Sequence, residues 1–134
     1  LENDYIHKPG WPEHLVSAIN TFGTDKYYTL YDHPDKYSER DYKNLASQVL
    51  LASDSYHWRT TPSTCFSFVA SKHLLEKDSE IFLIPKMADH LIFTMLSCTK
   101  NRRLLSPIQG LSTHCMKKWM SPGVDWQSLA KISM

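Results

Sequence analysis

The sequence predicts an all-α domain: a compact bundle of about five to six helices packed as antiparallel hairpins. Three observations predict it. Pro12, Pro62, Pro85, Pro107 and Pro122 each open a stretch of helically spaced apolar residues. Proline suits a first helical position, where its missing N–H costs nothing and its φ is already set. Three of the five follow Thr61, Ser106 or Ser121, residue types whose hydroxyl accepts an orphan backbone N–H at a helix start. The stretches run three to four turns with short connections, which favours antiparallel neighbours.

In chain order, the first segment follows Pro12, aligns Leu15, Val16, Ile19 and Phe22, and stops at Gly23. The second starts at Ser38, where Asp41 completes a variant capping box, and carries Tyr42, Leu45, Ala46, Val49 and Leu50 in register. Its end falls between Ala52 and Trp58. The third runs from Pro62 with Cys65, Phe66, Val69 and His73 on one stripe. The fourth, from Pro85, groups Ala88, Leu91, Ile92 and Met95. The fifth, from Pro107, aligns Ile108, Leu111, Cys115 and Trp119, and the sixth, from Pro122, aligns Trp126, Leu129 and Ala130.

Two stretches resist helical periodicity. KYYTLY, 26–31, has high strand propensity, and EIFLI, 80–84, reads as a short strand or a helix end. Pairing of the two as a minor two-stranded sheet gives the alternative, an α+β domain. The stretch 81–120 resembles a HEAT repeat: helix, short basic turn, helix. That resemblance implies a protein-binding scaffold, although no second copy recurs at the ~40-residue period of such arrays.

The chain has 134 residues, the length of one domain. Apolar residues at 42% offset the ordering entropy of folding, and this excludes a disordered chain. Fifteen basic against fourteen acidic residues leave a formal charge of +1, which argues against a general polyanion binder. No apolar run reaches the ~20 residues of a membrane span, and the N-terminus lacks the pattern of a signal peptide. Cys65, Cys98 and Cys115 are widely spaced without a C-x-x-C pair, as expected of thiols in a reducing compartment. An intracellular protein, nuclear or cytoplasmic, is expected. The start at Leu1 reads as a single helical domain, 1–134, excised from a longer chain.

Candidate chemistry is sparse. Cys65 is expected in the opening turn of the third helix, where the dipole raises thiol reactivity. His114 precedes Cys115 directly, but helix neighbours point about 100° apart, so the pair is poorly arranged for a nucleophile and its base. The seven histidines include no H-x3-H pair, so no metal site is expected; His90, Cys98, His114 and Cys115 could converge only through tertiary packing. Asp32 with Asp35, Glu39 with Asp41, and Glu76 with Asp78 and Glu80 read as turn and cap residues. With four glycines and no phosphate-binding or nucleophile-elbow motif, neither a cofactor nor an enzyme is expected.

Aromatic residues carry the functional expectation: a non-catalytic protein–protein interaction module, a scaffold or adaptor. Its partner-binding surface is Tyr27, Tyr28, Tyr31, Tyr56, Trp58 and Arg59, residue types enriched at binding hot spots. A protein partner follows, or a homodimer if one aromatic face is self-complementary. The alternative is a helical nucleic-acid binder using Lys100, Arg102, Arg103, Lys117 and Lys118, with the Pro107 helix start as a phosphate contact. Ser106–Pro107 is a cap and first helical position, with phosphorylation as a secondary role.

Overall fold

A computed structural model describes residues 5–38, 46–65 and 67–133. It is a mixed α/β domain and overturns the all-α expectation. The described elements are β1 (Tyr5–His7), α1 (Trp11–Phe22), β2 (Tyr27–Tyr28), α2 (Asp35–Ser38), β3 (Val49–Leu51), β4 (His57–Thr60), α3 (Lys72–Phe82), α4 (Asp89–Lys100), β5 (Leu104–Ile108), β6 (Ser112–His114), a 3-10 turn (Lys117–Trp119) and α5 (Trp126–Ser133). One sheet has four strands in the order β2-β5-β4-β3, with β2 parallel to β5 and the other pairs antiparallel. A second sheet pairs β1 with β6.

Neighbouring side chains on a strand point to opposite faces, and this divides the core in two. Tyr28 and Leu105 join Leu15 and Ala18 of α1, together with Leu30, Trp58 and Leu111. Tyr27 and Leu104 turn the other way, onto Leu74 and Ile81 of α3 and Ile92, Phe93 and Leu96 of α4. The sheet therefore lies between α1 and the α3–α4 pair. KYYTLY supplies a strand, as its propensity suggests, but its partner is β5 rather than 80–84, where α3 ends.

The proline reading holds once and then fails for a physical reason. Pro12 lies in the first turn of α1, and Gly23 N–H closes that helix on Ile19 O at 2.8 Å. Elsewhere the helices begin later: α3 at Lys72, α4 at Asp89 and α5 at Trp126. Ser71 caps α3, its Oγ accepting from Leu74 N–H at 3.1 Å, and Asp125 Oδ1 accepts from Ser128 N–H at 3.2 Å.

Pro107 opens no helix. It stands in β5 opposite Trp58. Thr61 N–H bonds Leu104 O, so the alternation of the antiparallel ladder aims the Pro107 nitrogen away from β4. On that side the pairing with β2 has ended at Leu105, and a missing N–H costs nothing. With 107–120 folded as strand end, β6 and a 3-10 turn, the HEAT-like reading fails too. The predicted second helix falls partly on residues 39–45, outside the described residues; Val49–Leu51 is a strand.

Candidate functional site

The chain leaves β2 through Thr29 and Leu30 and gathers Tyr31, Asp32, His33, Asp35, Lys36 and Tyr37 beyond the carboxyl end of the strand. The carboxyl ends of parallel strands are where α/β sheets place ligands. Asp32 is buried, with Oδ1 2.7 Å from Arg59 Nη2, and its Oδ2 accepts from the Tyr37 hydroxyl at 2.7 Å. The Arg59 guanidinium also stands 5.0 Å from the centre of the Tyr37 ring. Its Nε is buried without a hydrogen-bond partner among the described residues. Burial, with the Asp32 hydrogen bond and charge behind it, pushes the Tyr37 hydroxyl up to about 12.

A second group surrounds the His33 ring. Its Nδ1 is 2.9 Å from Asp35 Oδ1, and Lys36 Nζ reaches the same oxygen at 2.6 Å. Tyr31 and Trp119 flank the ring at centroid distances of 4.9 and 5.3 Å, and the Tyr31 hydroxyl donates to Trp119 O. The Cys65 side chain stands near the ring and favours its protonated form. Burial pulls the imidazole down, but Asp35 and Cys65 together outweigh it and push His33 up to about 9. Asp35 responds inversely: burial would raise it, while His33 and Lys36 hold it below the ordinary carboxylate range.

Cys65 reaches this position from a loop, not a helix. Thr64 N–H donates to Asp89 Oδ2 at 2.9 Å, and the Thr64 and Thr29 hydroxyls meet at 2.6 Å. Tyr28 and Val69 bridge the following residues to β2. Held on both sides, Cys65 adopts a left-handed backbone at φ 54° while its side chain faces solvent. Compared with family models, curated proteins and solved structures, the chain matches none. The site is therefore read from its own residues.

The expected partner surface is largely inside the protein. Tyr27, Tyr28, Tyr31 and Trp58 are each no more than 2% exposed, and Arg59 is buried against Asp32. Tyr56 is half-buried, its hydroxyl donating to Gln109 O at 2.6 Å. Strand alternation sends Tyr27 into one core and Tyr28 and Trp58 into the other, while the buried Tyr31 packs against His33, so these rings close the fold instead of presenting a face. The large side chains that do stand out on the sheet are Val49 and Leu51 of β3.

The basic set is divided as well. Lys100 and Arg102 turn to Asp78, whose carboxylate is fully buried, at 3.3 and 3.2 Å, and Tyr27 donates to the same group at 2.7 Å. Arg103 is exposed, and Lys117 and Lys118 are exposed on the 3-10 turn. Ser106 is buried in β5, closed to a kinase. Among the described residues no three His, Cys, Asp or Glu side chains converge in a metal-holding group.

Sequence reasoning read Asp32 with Asp35 as turn residues and missed that Asp35 pairs with His33 while Asp32 pairs with Arg59, 27 residues on. The available signal was the density of ionisable residues in YDHPDKY, directly after a strand-prone run.

Proposed function

We propose that this domain binds a polar small molecule at the cluster beyond β2, with His33 as the proton-transfer group of the site. One observation carries the reading: Asp32, His33, Asp35, Lys36 and Arg59 have side chains 15% exposed or less and stand together at one strand end. Removing that many charges from water is unfavourable, and apolar residues of similar volume would serve stability as well or better. Charges gathered at such a strand end, with perturbed protonation and an orphaned Arg59 N–H, are the pattern of sites that recognise or transform ligands. The reading replaces the interaction module because four of that module's six anchors lie in the core.

A nitrogen-resolved NMR screen of polar metabolites tests it. Binders are expected to shift the amides of 29–37, 59, 64–65 and 119, and Asp32→Asn is expected to weaken them about tenfold or more by breaking a buried charge pair. Binders that map only to other surfaces, or that ignore Asp32→Asn, would overturn the assignment.

A further inference from the structure

We infer that the cleft between α4 and the start of β5 is a second binding site, one that takes a small carboxylate with a compact apolar body. Its volume is about 210 Å³, and Phe93, Ser97 and Cys98 of α4 line it together with Thr61, Arg103 and Leu104. The site is separate from the His33 cluster and does not rest on it. β2 and β5 run parallel, and the cleft adjoins the amino end of β5, whereas the cluster lies beyond the carboxyl end of β2. At about 30 Å³ per water, the volume equals about seven waters, room for one ring and its carboxylate.

Charge selects the ligand. Lys100 and Arg102 pair with Asp78, but the exposed Arg103 side chain has no ion-pair or hydrogen-bond partner among the described residues. None of the described residues lining the cleft is acidic, so the charge on its wall is uncompensated. A guanidinium is weakly hydrated and presents a planar fork that matches a carboxylate, which suits it to hold that group beside apolar surface. Phe93 and Leu104, both buried, supply that surface. Ser97 and Thr61 add hydroxyl donors, and the Thr61 hydroxyl reaches Ser63 O only at 3.4 Å. The single cation matches the single charge of a carboxylate. A phosphate ester carries about −1.5 to −2 at neutral pH, and part of that charge would go unmatched.

Nitrogen-resolved NMR of the full chain, titrated with benzoate, tests the site. Benzoate is expected to shift the amides of 61, 93–98 and 103–104 together and to saturate in the millimolar range usual for so few atoms. Benzamide, with nearly the same shape and no charge, is expected to bind about tenfold more weakly, and Arg103→Gln to weaken benzoate by about the same factor. Arg103 is exposed, so the variant is expected to keep its fold, with unchanged amide shifts away from the cleft as the check. Benzoate that moves none of these amides, binds Arg103→Gln as tightly, or is matched by benzamide would overturn the inference. Inorganic phosphate saturating the same amides in place of benzoate would overturn it as well. A polar binder that shifts 29–37 while benzoate leaves the cleft amides unmoved removes this site and keeps the His33 one.

Discussion

His33 shows how a single side chain links this site to stability. Its folded pKa of about 9 lies above the value near 6.5 of an unfolded chain, so folding and proton binding reinforce each other. Below pH 6.5 both states carry the proton and the full stabilisation is present. As pH rises through 9 the folded state loses its proton, and the stabilisation disappears. A shift of that size corresponds to about 3 kcal/mol. Asp35 reports the same ion pair from the other side: its contribution is present above the ordinary carboxylate range and is lost as pH falls through its depressed value. The two describe one interaction and do not add. The groups facing the ring are Asp35, with Lys36 behind it, Tyr31, Cys65 and the Trp119 indole. The urea midpoint is therefore expected to fall between pH 6.5 and 9 in the unaltered protein and to stay nearly flat in His33→Gln. Equal slopes in both would remove His33 as the source. The local sequence offered the two partners, His33 and Asp35, but not the burial and the Tyr31 and Trp119 rings that only the fold brings to them.

Some helices were legible in the sequence, but their starts were not, and the fifth predicted helix is strand and 3-10 turn. Apolar spacing correctly located α1, and it found the bodies of α4 and α5 while placing their starts four residues early at Pro85 and Pro122; of the stripe predicted from Pro62 only His73 falls in α3, and it is exposed there. Proline's fixed φ fits a loop or an edge of pairing as well as a first helical turn. Of the helix starts, Ser71 caps α3 with its hydroxyl, whereas α1 and α4 begin after Gly10 and Ala88 with no side-chain cap. Ser71 and Ser121 separate the two cases. Ser71 Oγ accepts from Leu74 N–H, so Ser71→Ala is expected to cost about 1 kcal/mol. Ser121 uses its backbone, accepting from Trp126 Nε1 at 2.8 Å and donating to Thr113 Oγ1 at 2.7 Å. Its Oγ is buried without a partner among the described residues. Ser121→Ala keeps the backbone bonds and removes an unsatisfied hydroxyl, so it is expected to be neutral within about 0.5 kcal/mol or slightly stabilising. Chemical denaturation of the two variants would show the contrast, and a larger loss at Ser121 would mean that its hydroxyl caps after all.

At the scale of the molecule, the sheet converts one sequence step into two destinations. Leu104 and Leu105 are adjacent, yet one enters the α3–α4 core and the other the α1 core. A helical reading of this region cannot generate that division, because helix neighbours point about 100° apart whereas strand neighbours point 180° apart. The same sheet carries Tyr27 and Tyr28 into the two cores and, beyond them, fixes the residues of the His33 site. Stability of either core should therefore reach the other through β2 and β5. Leu104→Ala and Leu105→Ala each remove a buried side chain and are expected to cost about 2 to 5 kcal/mol. If the sheet unites both cores, each variant lowers one shared transition. Tryptophan fluorescence, which includes Trp58 in the α1 core, and far-ultraviolet circular dichroism, dominated by the helices, should then coincide for both variants. Separation of the two probes in Leu104→Ala alone would show that the α3–α4 layer opens by itself while α1 stays on the sheet.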